Sequence, residues 1–160
     1  YGSWAGAFGN FQFMPTTIRD YAIDYDDNKI LELKSTNDSF ASAANYITKI
    51  GWIKDQPCYI KVNLNKDVPN DLLNTSAKKL NNKKKFKDLK KFITNQNEFQ
   101  IDDNLLSAII TPDQDIIPDS KDLDPAYIVF GNYEKILQWN RSLRFALAVC
   151  TLKDKFANAL

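Results

Sequence analysis

No histidine occurs among the 160 residues of this chain. That absence removes Ser–His and Cys–His nucleophilic catalysis and the usual histidine zinc sites. Acid–base chemistry must then fall to carboxylates, lysine or tyrosine. Net charge is nearly absent too, with 21 Lys+Arg against 20 Asp+Glu leaving a formal +1. A whole-surface attraction to nucleic acid is therefore not expected. No apolar run approaches the roughly 20 residues needed to cross a bilayer. The two cysteines, Cys58 and Cys150, lack metal-like spacing. They fit one disulfide or two buried thiols equally well.

What is present is enough for a real core: 44% hydrophobic and 12% aromatic residues, in a length at which one domain buries about 70% of its unfolded surface. Pro15 opens a short helix through Tyr21–Ala22, with proline at its first position. Asp24 to Ser35 is polar and turn-like. Phe40, Ala43, Ala44, Ile47 and Ile50 then recur at helical spacing up to Gly51, with Thr36, Asn37 or Asp38 as cap. Cys58 to Leu64 alternates as a half-buried strand, and Leu105–Ile110 and Tyr127–Phe130 are further strand candidates. Between them Pro112, Pro118 and a series of aspartates predict an irregular loop. Closing helices are expected at about Asn132–Trp139 and Ser142–Phe156. Helices, a small strand-rich insert, then helices again predict a mainly helical α+β fold.

Glycine is scarce, yet three of the five glycines fall within the first nine residues. The segment reads G-S-W-A-G-A-F-G-N-F-Q-F-M-P from Gly2 to Pro15. Glycine of that density lets another chain approach the backbone, and neighbouring aromatics offer flat apolar faces. Those are the needs of a sugar-binding surface; a tight buried turn is the plainer reading. The wording resembles the active-site segment of the B-type lytic murein transglycosylases. Two more islands follow in the same order: Asp24–Ile30 with Ala43–Ile47 and Gly51–Trp52, then Phe130–Tyr133 through Ser142 and Phe145–Val149. Together they cover about half the chain.

The resemblance implies a lysozyme-like transglycosylase fold, incomplete here, as one partial domain over 1–160. Residues 1–54 and 126–160 would form the helical cleft part and 55–125 the strand and loop insert with a basic helix. It implies non-hydrolytic cleavage of the MurNAc-β-1,4-GlcNAc bond of peptidoglycan, giving a 1,6-anhydro sugar. The partners are then glycan strands, in a periplasmic or cell-envelope setting. No nucleic acid is expected, and a membrane only through an anchor outside these residues. No cofactor is required, with structural calcium the one candidate.

The family's catalytic glutamate lies on a helix before the glycine-rich segment. None of Glu32, Glu98 or Glu134 stands in its context. The acid is therefore expected upstream of Tyr1, and this chain alone is expected to be inactive. Ser3 matches a serine near that carboxylate, and Gln12 a glutamine that contacts the sugar's amide or hydroxyls. Trp139 and Asn140 match an aromatic–asparagine pair on the opposite cleft wall. Phe145 stands where the family has a tyrosine, so a hydroxyl contact is lost. Packing or capping is the plain alternative for each.

Asp24, Asp26, Asn28 and the Ile30 carbonyl occupy positions 1, 3, 5 and 7 of an EF-hand-like loop. Position 6 is Lys29 instead of glycine, and position 12 is Ser35 instead of glutamate; in the family a later carboxylate, here Asp38, closes the site. A solvated polar turn is the alternative, and the Lys29 charge opposes a cation. Finally, eight lysines crowd Lys78–Lys91 against one acid, Asp88. With Leu80, Phe86, Leu89 and Phe92 interleaved, they predict one basic amphipathic helix or two short ones, whose lysines form a solvated face. Two rivals to the transglycosylase reading remain: a glycan-binding module that never cuts, and an anion- or nucleic-acid-binding domain centred on these lysines.

Overall fold

The ring of Pro15 presets the helical backbone, and α1 runs from it, Pro15–Tyr21. The computed structural model describes residues 3–113 and 123–159, and most of the loop expected between Pro112 and Asp124 lies outside them. The chain forms two compact units, Tyr1–Ile53 and Lys54–Leu160.

In the first unit α1 packs with α2, Thr36–Lys49. The N-cap of α2 is Ser35, not Thr36, Asn37 or Asp38, and it makes no side-chain capping bond. The buried face also differs from the expected one. Ser39, Ser42, Ala43 and Tyr46 are buried, whereas Phe40 and Ala44 are exposed. Small hydroxyls let other backbone come close and bond. Ser42 Oγ accepts the Ile23 amide at 2.9 Å, and Asn45 Nδ2 donates to the Tyr21 carbonyl at 2.8 Å. Aromatic edges fill the remainder: Phe40 meets Phe11, Phe13 meets Tyr46, and Tyr46 meets Tyr21. Burial, then the neighbouring Tyr21, pushes the Tyr46 phenol above its ordinary value.

The second unit is built on a five-stranded sheet. Its strands are β1 Tyr59–Val62, β2 Leu73–Asn74, β3 Lys84–Lys85, β4 Leu106–Ile110 and β5 Ala126–Val129. The order is β1-β5-β4-β2, with β3 pairing the start of β4. Ile128 of β5 faces Ile60 on one side and Ile109 on the other. Both β1 and β4 run antiparallel to β5, while β2 lies parallel to β4. Three predicted strands thus form where expected; β2 and β3, two residues each, carry no readable periodicity.

The basic segment forms no single helix: of the two expected alternatives it is nearer to two short ones, and these cover only its second half. Residues 78–83 are loop, Lys84–Lys85 pair in β3, Phe86–Leu89 make a single turn of helix, α3, and Lys90–Phe92 a 3-10 turn. Asn82 has φ +50°, a left-handed conformation that a right-handed helix cannot pass through. The interleaved apolar residues are nevertheless anchors. Phe86 and Leu89 join Val62, Ile93, Ile109, Ile128 and Phe130 in one core, and Leu80 is buried.

Helices α4, Gly131–Trp139, and α5, Leu143–Ala157, pack together and close the unit. Tyr133, wholly buried, donates its hydroxyl to the Leu143 carbonyl at 2.7 Å. Its burial pushes the phenol well above the usual range. The cysteines are joined: Cys58, just before β1, is disulfide-bonded to Cys150 on α5. Tyr59 and Thr151 add a hydroxyl pair at 2.6 Å beside it. Among the described residues, no helix is long and apolar enough to cross a membrane.

Candidate functional site

Residues 3–13 of the first unit fold as two consecutive turns. Ser3 closes the first. Its amide donates to the Ala7 carbonyl at 2.9 Å, and its Oγ accepts the Ala7 amide at 3.0 Å. Phe8 and Phe13 then exchange both backbone bonds at 2.9 Å, making a hairpin whose bend is Gly9–Gln12. Gly9 cannot be replaced there. Its φ is +80°, and a Cβ would stand 2.6 Å from the Leu33 carbonyl oxygen. The same approach lets Asn10 donate its amide to Leu33 O at 2.9 Å and its side chain to Ser39 Oγ at 3.2 Å.

The glycine-rich segment is thus a rigid loop and not a buried turn. Trp4 is 104% exposed, and Ser3 and Gln12 are exposed as well. Gln12, at φ +51°, donates Nε2 to Gly9 O at 2.8 Å. That bond leaves its carbonyl oxygen and second amide hydrogen on offer. Phe11 and Phe13 stack at 6.1 Å behind the bend.

In the second unit, Trp139 ends α4 half-buried, and Asn140 is its exposed C-cap. Ser142 caps α5 by accepting the Phe145 amide at 3.2 Å, which fixes Phe145 in the first turn, 40% exposed. These three residues fall at one helix–helix corner.

Asp24, Asp26 and Asp38 converge in the first unit, each offering an oxygen within 4.8 Å of the others. A single calcium, with oxygen ligands at about 2.4 Å, can touch three oxygens no farther apart than that. The carboxylate of Asp38, only 1% exposed, accepts the amides of Tyr25 at 2.9 Å and Glu32 at 2.8 Å. Asp24 Oδ2 takes the Lys29 amide at 2.8 Å, while its Oδ1 is buried without a hydrogen-bond partner. A buried carboxylate oxygen with no donor is costly, and a cation in the cage would satisfy it. Asn28 Oδ1 accepts the Ile30 amide at 2.7 Å, so those two residues brace the loop. Asp27 and Lys29 take positive φ, +57° and +69°. The ammonium of Lys29 pairs with Asp27 at the exposed surface, so its charge is already matched by a carboxylate outside the trio.

The three glutamates have no apolar setting. Glu32 is exposed, Glu98 accepts from Asn95 at 3.0 Å, and Glu134 pairs with Lys83 at 2.9 Å. None resembles the desolvated carboxyl that a lone general acid requires. Sequence reasoning overlooked Asn74, a buried side chain whose role is described below; polar residues that bond backbone leave no periodic signal.

The fold of the chain is similar to that of solved lytic transglycosylases. SltB3 from Pseudomonas aeruginosa, solved with NAG-NAM-pentapeptide, superposes with a TM-score of 0.77 at 32% identity over 98% of this chain and 40% of that one. SltB1 from the same organism gives 0.74 at 22% identity, covering 99% and 49%. The Escherichia coli transglycosylase Slt35, solved with calcium, gives 0.70 at 24%, covering 99% and 46%. The fold is therefore the lysozyme-like fold of lytic transglycosylases. The family model described as "Transglycosylase SLT domain" matches residues 1–154, and the chain belongs to that family. Over 62 residues it is also 37% identical to membrane-bound lytic murein transglycosylase B of Escherichia coli K12, which is 39% of this chain and 17% of that protein. The chain spans less than half the length of each of these relatives.

Proposed function

We propose that this chain is the glycan-gripping part of a peptidoglycan lytic transglycosylase of the cell envelope, whose catalytic glutamate is supplied by residues outside 1–160. The observation that carries the reading is the opening loop. It holds Ser3 and Trp4 at the surface in a turn closed by the Ser3–Ala7 bonds, and Gln12 at the surface in the bend of the hairpin that follows, where Gly9 packs against Leu33. An exposed ring beside pre-set polar groups suits a sugar, whose apolar face stacks while its hydroxyl and amide groups bond. Within the second unit, Trp139, Asn140 and Phe145 offer the same kinds of contact by themselves, with phenylalanine offering stacking only.

In the reaction a protonated carboxyl gives its proton to the departing O4 as the C1–O4 bond breaks. The sugar's own 6-hydroxyl then bonds to C1 and returns its proton to the carboxylate. No water enters, and the product is a 1,6-anhydro ring. Ser3, whose hydroxyl proton remains available while its oxygen holds the Ala7 amide, would steady that carboxylate. The aspartate trio, with its unsatisfied Asp24 oxygen, would hold calcium as a brace for the loop between α1 and α2, away from any chemistry.

The test is incubation of purified sacculi with this chain and, separately, with a longer protein carrying the upstream glutamate helix, with mass analysis of released muropeptides. Release of 1,6-anhydro products by the longer protein alone is expected. Binding by both without release would leave a non-cutting glycan module, a reading favoured by the glutamates' polar settings.

A further inference from the structure

The lysines of residues 78–83 do not form the solvated face of a helix, so that explanation of their number fails. They line a groove of about 430 Å³ with α4. Its walls carry Lys78, Lys79, Lys83, Lys135 and Arg141 against a single carboxylate, Glu134. Glu134 pairs with Lys83 at 2.9 and 3.1 Å. Among the described residues, Lys78, Lys79, Lys135 and Arg141 have no carboxylate within ion-pair distance.

The loop that carries these lysines is held in place. Asn74, 5% exposed, accepts the Asn81 amide on Oδ1 at 2.7 Å and donates Nδ2 to the Ile109 carbonyl at 2.9 Å. Asn82 Nδ2 bonds the Asp71 carbonyl at 2.5 Å, and Leu80 is buried as a plug. Unmatched cations on a fixed loop repel one another, and an anion in the groove relieves that repulsion.

The position of the groove selects the anion. Gln138 and Arg141 line it and flank Trp139 and Asn140 directly in the chain. We propose that the groove receives the free carboxylates of the short peptide borne on the muramic acid of the glycan strand. This rests on the glycan reading of Trp139 and Asn140 given above. It adds peptide substitution as a specificity determinant, with Lys78, Lys79, Lys135 and Arg141 as its readers.

The test compares soluble glycan strands carrying their peptides with the same strands stripped by an amidase. Each is titrated against the wild-type chain and against Lys78→Ala/Lys79→Ala/Arg141→Ala, all exposed positions, at low and high salt. The wild type should prefer peptide-bearing strands by about tenfold at low salt, falling with added salt. The triple variant should lose that preference while binding stripped strands within about twofold of wild type. Equal wild-type affinity for both strands would overturn the peptide proposal and leave the glycan reading standing. Binding of peptide-bearing strands alone would keep the groove and remove the glycan wall. No binding to either strand overturns both. Inorganic polyphosphate that displaces peptide-bearing strands at far lower concentration than a soluble stem peptide would show a general anion site, and would also overturn the proposal.

Discussion

The two units hold themselves together by different means. Lys54–Leu160 relies on apolar mass: a sheet whose central strands are buried on both faces, ten core residues around Ile109 and Ile128, and a disulfide. Among the described residues of Tyr1–Ile53, the buried apolar ones are Ala7, Phe13, Leu33, Ala43 and Tyr46. Its order comes from serine, asparagine and aspartate side chains bonding backbone, and from one glycine where two strands of chain nearly touch. Apolar packing tolerates many similar solutions, whereas a polar framework fails at single atoms. The contrast teaches that the unit with less to bury is the one with more exacting positions.

The difference can be broken from either side. The largest effect should come from Cys58→Ala/Cys150→Ala. The bond closes a loop with a sequence separation of 92, and for a loop of that size chain entropy predicts a loss of about 4–5 kcal/mol. Hydrogen exchange should show the loss in residues 54–160 and leave 3–53 protected as before. Gly9→Ala should do the reverse. With φ +80° and a 2.6 Å clash against backbone, it should cost about 2–3 kcal/mol, with faster exchange confined to the first unit.

Calcium should raise the midpoint of the first unit only, by an amount set by its concentration over Kd, roughly 2.7 kcal/mol at a hundredfold excess. Asp24→Ala should abolish that rise, and a wild type indifferent to calcium would remove the cage. Alkali should act on the second unit through Tyr133. Its phenol is raised in the folded state, so the unfolded chain ionises first, near pH 10. Stability is full below that pH and falls as pH climbs above it. Tyr133→Phe should flatten this fall in a urea titration between pH 9 and 11. The smallest structural effect belongs to Gln12→Ala, an exposed side chain: stability should move by less than about 0.5 kcal/mol while glycan affinity drops. Unchanged affinity would remove Gln12 from the sugar-contacting set.

Apolar periodicity and proline made the main elements legible. α1, α2, α4, α5 and the three longer strands stand within a few residues of where Pro15, the alternation after Cys58 and the 130–156 pattern put them. Asp24 and Asp26 were legible from local metal-type spacing, whereas Asp38, which converges with them, came only from the family resemblance. What escaped depended on distant or polar partners. The cysteine pairing needed the sheet to bring Cys58 to α5. The face of α2 was misjudged because Ser39 and Ser42 are buried by hydrogen bonds, which a hydrophobic pattern cannot display. The lysine segment mimicked a helix because Leu80, Phe86, Leu89 and Phe92 are spaced by threes, while the left-handed Asn82 interrupts it.

Asn74 has a consequence for how such a chain can change over time. It fixes the course of the 75–81 loop from below, using backbone partners that are indifferent to what the loop displays. Lys78 and Lys79 point no apolar surface into the core and can be exchanged singly for neutral or acidic residues with little loss of folding. Shape and charge are therefore inherited separately. A lineage could change the charge of this groove by drifting through a few exposed codons, while the frame that presents them stays constant.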